Sequence, residues 1–318
     1  MSSTEEQITR ESQTYPINPP ALNPALFNPG QEELDFLHWA LGDSTAGNDE
    51  ALKEKVLKFQ KESYELFAYP CIHGFHFVYL FMSQVPVYPQ LLAAAKSAKS
   101  PPVFLDLGCC MGSDLRKLIM DGFPTSAGNL LGGDLRDGFI KLGYEFYQDG
   151  PQSTKPTPII FFTDDILDVS REPAVNPEGK TLPETLSLEG LKGKLDYLYA
   201  GALFHLFDES TQYAIAWRFA RLIHIPPKSD NSDLPDAIIF GRHQGLHEEG
   251  YINDHLGRKR YGHSPDSWPK LWKGIFGEIY GEEWAENNVH VTAQINLPLR
   301  GFPHPNTMLV WSVTIKRS

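Results

Sequence analysis

Residues 103–118 read VFLDLGCCMGSDLRKL, and the order of residue types within them sets the architecture of the whole chain. The apolar run VFLDL is a strand buried on both faces, and the glycines at 108 and 112 form a turn. Leu115, Leu118 and Ile119 then recur at helical spacing, with Ser113 read as the N-cap and Asp114 as a carboxylate at the helix's positive end. A strand, a tight turn and a helix open an α/β sheet whose ligand lies beyond the carboxyl ends of the strands. The turn does not suit a phosphate. A dinucleotide fingerprint needs glycine at 110 and 113, where Cys110 and Ser113 stand, and no Gly-Lys-Ser/Thr ends the loop as in a P-loop. Asp106 at the strand tip would repel a pyrophosphate and attract an ammonium.

Downstream, the apolar runs NLLGGDL, PIIFFTDDI, LDYLYAGAL and AIIFG alternate with amphipathic segments. Such runs separated by helices are buried parallel strands joined by right-handed crossovers, an open doubly wound sheet. The closing segments VHVTAQINLPL and TMLVWSVTIKR, joined through RGFPHPN, alternate and predict an antiparallel hairpin at the sheet edge. Asp208 is read as the start of the helix DESTQYAIAWRFARLIHI, with Tyr213, Ala216, Trp217 and Ala220 as its packed stripe. Before the first strand, residues 31 to about 98 read as helical, with Leu34, Leu37, His38 and Leu41 on one face and Leu52, Val56 and Phe59 on another. Residues 1 to 30 are rich in proline and asparagine and predict a tail or a strap.

Acids recur at successive strand ends. Asp134 ends LLGGDL, where a carboxylate accepts from two ribose hydroxyls; its alternative, a helix N-cap, is better filled by Asp137. Asp165 follows the third strand, placed to accept from an adenine amino group while the Ile166 backbone donates, and Asp164 competes for that role. At the fourth strand end Ala200, Gly201 and Ala202 leave room for a transfer axis. His205 beyond them either positions or deprotonates an acceptor or is a satisfied structural residue. S-adenosylmethionine, with an ammonium, a sulfonium and a ribose and no phosphate, is the ligand these features fit.

Composition excludes several classes. With 41% apolar and 12% aromatic residues over 318 positions the chain can bury a large core, and a formal charge of −12 offers no footprint for nucleic acid. Three cysteines, two adjacent, build no disulfide framework, and the expectation is a cytoplasmic protein with no signal peptide, transit peptide or membrane span. Cys109 and Cys110 are read as packing rather than redox groups. His243, His247, His255 and His263 lack the spacing of a zinc site, so no metal is assigned.

Asp106, Leu107, Gly108 and Gly112 form D-L-G-x-x-x-G, which resembles the first motif of the class I S-adenosylmethionine methyltransferases; Cys110 departs from it where that family carries glycine. More narrowly, FLDLGCCMGSDLRKLIMDG, GGDLRDGFIKLGYEFYQD, TDDILD, LFHLFD and YGHSPDSWPKLW together resemble the fungal secondary-metabolite methyltransferases, including carboxyl O-methyltransferases of meroterpenoid pathways, over roughly residues 65 to 318. The resemblance implies an α/β Rossmann-like doubly wound sheet, mostly parallel with an antiparallel C-terminal hairpin, carrying a helical N-terminal extension. It also implies S-adenosylmethionine as donor and methyl esterification of a carboxylic acid. An isomerase, a cyclase or a non-catalytic binding module on the same fold stands as the alternative.

The expected division is a tail and helical cap at 1–98 and a methyltransferase domain at 99–318, with a substrate-binding insertion around 244–285. Expected donor contacts are Asp106, Gly108, Cys109, Gly112, Asp134, Leu135, Asp165, Ile166 and Ala200, with His205 catalytic. A carboxylic acid of pKa near ~4 arrives ionised and needs alignment more than a base. Its candidate holders are Tyr69 and His73 from the aromatic patch YELFAYPCIHGFHFVYLF and Arg242, His243, His263 and Trp268 after the fifth strand; Ser264 is read as a helix N-cap. The expected partner is a small-molecule acid, with no nucleic acid and no membrane, and the chain is expected to be a monomer or homodimer.

Overall fold

In the computed structural model each strand-like run becomes a strand: β1 (Phe104–Leu107), β2 (Leu130–Asp134), β3 (Ile160–Thr163), β4 (Tyr197–Gly201), β5 (Ala237–Gln244), β8 (Val289–Gln294) and β9 (Met308–Ile315). The structure describes residues 19–42, 45, 47–125, 128–171, 182, 186–226, 234–252, 259–302 and 306–317. Those strands form one sheet in the order β3-β2-β1-β4-β5-β9-β8, and a separate small ribbon joins β6 (Gly250–Ile252) to β7 (Arg260–Gly262). β1 through β5 pair in parallel, while β9 runs antiparallel to both β5 and β8. The chain winds outward from β1 to β3 and then returns to the other side of β1 with β4. Strand order therefore reverses between β1 and β4.

Two-residue alternation assigns the two faces of the sheet. Phe104, Tyr197, Tyr199, Ile238 and Phe240 pack with α4 (Tyr88–Ser97) and α5 (Ser113–Met120). Leu105, Leu198, Ile239 and Val313 face α7 (Glu209–Leu222), α8 (Ser267–Tyr280) and α9 (Glu282–Asn288). The N-terminal helices α1 (Gln31–Leu41), α2 (Asp49–Leu66) and α3 (Pro70–His73) build a third cluster with Phe139, Phe146 and Tyr147 of α6 (Asp137–Tyr147). The strap at 19–30 lies over this layer: Tyr64 donates to Pro20 O, Tyr79 donates to Asn28 O, and His73 Nε2 lies 3.0 Å from Ala21 O.

Several local expectations change. β3 is an edge strand, so Ile160 is 41% exposed although its sequence reads as fully buried. The expected antiparallel hairpin does form at the sheet edge, joined to β5 through β9 with β8 outermost. Its connecting residues 303–305 lie outside the described residues. Gly112 takes the N-cap position of α5, and Ser113 instead donates to Phe77 O and accepts from Tyr147. In α7 the cap at Asp208 is as read, accepting from Thr211 N, and Ala216 and Ala220 of the expected stripe are buried with Ile215, Phe219 and Leu222, while Tyr213 and Trp217 lie at the margin. Ser264 and Ser267 exchange backbone-to-hydroxyl hydrogen bonds of 2.9 and 3.1 Å, so Ser264 closes the turn before α8 although that helix begins at Ser267. No helix among the described residues is long and apolar enough to cross a membrane.

At the end of the sheet away from the reversal, Asp196 Oδ2 accepts from Val103 N at 2.8 Å and Asp196 Oδ1 pairs with Arg317 Nη1 at 2.6 Å, both side chains fully enclosed. Arg317→Met removes one partner and leaves a buried carboxylate uncompensated. A loss of about 3–5 kcal/mol of stability is expected in urea unfolding. Asp196→Asn combined with Arg317→Met is expected to recover part of it.

Candidate functional site

The turn after β1 carries left-handed residues at Gly108 (φ +83°), Cys110 (φ +51°) and Gly112 (φ +73°). A Cβ on Gly112 would come within 2.6 Å of the Phe161 ring and 2.9 Å of Arg116 Nη1. Gly143 of α6 admits the turn from outside, because a Cβ there would stand 2.5 Å from Met111 O. Cys110 tolerates its strain, about 1–2 kcal/mol, because its N–H is held by Asp134 Oδ2 at 2.8 Å. The buried Arg116 fixes the turn from below. Its Nη1 donates to Met111 O at 2.7 Å and Gly112 O at 3.1 Å, while Nε and Nη2 both reach Asp149 at 2.7 Å.

Where β1 and β4 part, this turn floors a cavity of about 90 Å³. Asp106 enters it from β1, Tyr199 from β4, Arg242 from β5 and Asp114 from α5. Cys71, His76 and Phe81 of the N-terminal segment close it from above. Asp106, Tyr199 and Arg242 meet because they share one face of three adjacent strands, Asp106 lying beside Tyr199 and Gly201 beside Arg242. Ala202, at φ +61°, donates to Arg242 O at 2.7 Å and ties the two strand ends together.

The charges are arranged unevenly. Burial, together with the neighbouring Asp114 and Asp134, pushes the Asp106 carboxyl well above its usual range. Burial raises Asp114 to about 6, partly offset by the Met82 N–H at 3.0 Å and the charges of Arg242 and Lys117. Asp134 is raised by burial and lowered by the N–H groups of Arg136 and Cys110. All three thiols are pushed up by burial, Cys71 to about 11, which keeps them protonated and favours a packing role for Cys109 and Cys110. His76 is held neutral, its pKa pushed down to about 3 by burial and then by Arg242. Arg242 itself is 5% exposed, with Phe81 3.6 Å from its guanidinium and Phe302 at 5.3 Å; its Nε and Nη1 and the Tyr199 hydroxyl have no hydrogen-bond partner.

Of the expected donor contacts, Asp106, Gly108 and Cys109 line the cavity. Gly112 shapes the turn and Asp134 holds it, with Oδ1 accepting from Arg136 N at 2.9 Å. Leu135 is 37% exposed beyond Asp134, while Ile166 and Ala200 point into the core below the sheet's edge. Asp165 accepts from Leu167 N at 2.9 Å, and Asp164 spends its two oxygens on Asp165 N and Leu188 N. None of these last five lines the cavity.

The expected acceptor contacts are divided by the alternation of β5. Arg242 faces the cavity and His243 the opposite side, where it accepts from Trp311 Nε1 at 2.9 Å and packs 4.6 Å from Trp268. His263 joins that aromatic block, 2.9 Å from Ser267 Oγ. Burial holds His243 well below its usual range and His263 at about 4. His205 accepts at Nδ1 from Gln244 N at 3.2 Å and stands beside His243. Tyr69 lies beside Asp134, its hydroxyl 3.4 Å from Arg136 Nε, and His73 is turned to the strap. Cys71, His76, Asp114 and Tyr199 join the cavity without being expected there from the residues. The signal for Tyr199 is present in the sequence, because it shares a face with Gly201 two residues on. No metal-holding group of side chains occurs among the described residues, and His255 lies outside them.

The unpartnered Arg242 nitrogens and two acids thus share one small cavity. Residues 43–78 match a family model described as a meroterpenoid methyltransferase N-terminal domain. The chain is 33% identical over 237 residues to the O-methyltransferase phiE of a fungal species, covering 74% of this chain and 68% of that one. It is 32% identical over 244 residues to the asnovolin E/chermesin D methyltransferase nvfJ of Aspergillus novofumigatus, covering 75% and 77%. Among solved structures, a Burkholderia thailandensis 1,6-didemethyltoxoflavin-N1-methyltransferase with bound S-adenosylhomocysteine superposes with TM-score 0.43 at 11% identity, covering 95% of this chain and 94% of that one.

Two outcomes are expected in calorimetry with S-adenosylhomocysteine. Asp134→Ala weakens binding by about 1–3 kcal/mol, because the turn that it holds through Cys110 N is released. Affinity also rises with pH through about 6 as Asp114 ionises opposite the ligand's ammonium, and Asp114→Asn flattens that rise.

Proposed function

The chain belongs to the family of fungal S-adenosylmethionine-dependent O-methyltransferases, and we propose that it esterifies a carboxylic acid carried on a polyketide-terpenoid intermediate. The observation that carries this reading is the lack of a competent imidazole base among the side chains that line the cavity. His205, whose Nδ1 accepts from Gln244 N, lies beside His243 outside that lining. His76, in the cavity, is too weak a base at neutral pH with a pKa near 3. A hydroxyl acceptor needs its proton removed, whereas a carboxylic acid of pKa ~4 is already ionised. The meroterpenoid description of the matching family model and the asnovolin E/chermesin D methyltransferase among the relatives support the scaffold class.

When bound, the donor supplies a methyl group activated by its sulfonium. The protein's part is alignment and drying. Asp106, Gly108 and Cys109 place the amino-acid end, and Asp134, Leu135, Asp165 and the Ile166 backbone are assigned to the nucleoside. The small strand end at 200–202 leaves the methyl carbon open. His205 would help orient the acceptor's carboxylate from the end of β4. Residues 71–81 serve as the lid of a cap spanning 1–98. The domain spans 99–318, with the segment around 244–285 covering the acceptor. Tyr69 joins the donor side by its position near Asp134. A cytoplasmic enzyme, monomeric or dimeric and without a nucleic-acid partner, agrees with the charge of −12.

Incubation with methyl-labelled donor and a panel of terpenoid and polyketide acids is expected to give products heavier by one methylene, whose label is released by mild base. A base-stable ether, or labelling of neutral alcohols alone, would overturn the esterification. His205→Ala is expected to lower kcat by about 10- to 100-fold while leaving the pH profile between about 6 and 8 flat.

A further inference from the structure

Arg242 is a cation almost wholly withdrawn from water, yet no carboxylate of the described residues forms an ion pair with it and its Nε and Nη1 donate to nothing. Phe81 covers one face of the guanidinium with Phe302 beside it, which leaves the rest of the group for a partner. Unpaired buried charge is costly, and an anion supplied from outside the chain offsets it. Two anions are available in this reaction, the acceptor's carboxylate and the donor's own.

The cavity decides between them. Asp106 and Asp114 line the same space. An acceptor carboxylate drawn to Arg242 would face both acids with no charge to give them, whereas a zwitterion presents its ammonium to the acids and its carboxylate to the guanidinium. The motif turn that holds the donor forms the floor. We propose that Arg242, assisted by the Tyr199 hydroxyl, is the receptor for the α-carboxylate of the methyl donor and sets the enzyme's selectivity for the intact amino-acid end. This rests on the donor assignment and moves Arg242 from the acceptor side of the reaction to the donor side.

The test compares S-adenosylhomocysteine with S-adenosyl-3-thiopropylamine, which keeps the nucleoside, thioether and amine and lacks only the carboxylate. By calorimetry, the unaltered enzyme is expected to prefer S-adenosylhomocysteine by about 100-fold, the scale of a buried charge pair deprived of one partner. Arg242→Met is expected to bind the two within a few-fold of each other, and Arg242→Lys to fall between. Equal binding by the unaltered enzyme would overturn the proposal, as would a preference that persists in Arg242→Met. So would a variant with unchanged S-adenosylhomocysteine affinity and a raised KM for the acid, which would return Arg242 to the acceptor. Failure of the unaltered enzyme to bind either compound would instead remove the donor assignment itself. Should Arg242→Met fail to fold, the comparison on the unaltered enzyme decides, with Tyr199→Phe expected to lessen the preference.

Discussion

The contact on which the rest depends is the grip of Arg116 on the turn after β1. Three left-handed residues within five positions do not hold their shape by local preference, since each non-glycine or crowded member costs conformational energy. One guanidinium satisfies two carbonyls of that turn and is itself held by both oxygens of Asp149, with Tyr147 4.1 Å from its charge centre. Asp134 holds the same turn from its other side. The cavity exists because those contacts keep the backbone from relaxing into it.

The large elements are legible in the residues, for reasons that are local. Short apolar runs bounded by glycine, proline or acids announce buried parallel strands, and β1, β2, β4 and β5 follow that pattern. Edges are different: β3 carries the same apolar run and lies exposed, because nothing in its residues encodes which strand has only one neighbour. Parity is a signal that the residues at β5 do carry. Arg242 and His243 are consecutive, so a strand must send them to opposite faces, and one cavity could not receive both. His243, His263 and Trp268 are instead a packed aromatic block in which burial keeps the imidazoles neutral.

The cap shows a second limit. Its aromatic patch supplies part of the cavity lining, but Cys71 and His76 line it where Tyr69 and His73 are the expected pair. α3 is a single turn followed by irregular backbone, and over such a stretch neither the helical nor the strand period predicts direction. Only tertiary contacts fix it, including the pairing of Arg300 with Glu32 and Glu33, which fastens the start of α1 to the loop carrying Phe302. The two aromatic rings that cover Arg242 thus come from separate parts of the chain brought together by that fastening.

The position of β9 bears on how the protein is made. Because β9 pairs with both β5 and β8, the strand bearing Arg242 keeps a naked hydrogen-bonding edge until residue 315 has left the ribosome. Until β9 is made the nascent chain carries an incomplete sheet, and an unprotected edge is where chains adhere to one another. Chaperone demand and yield in a foreign host should depend on Met308–Ile315 more than on any part of the catalytic cleft.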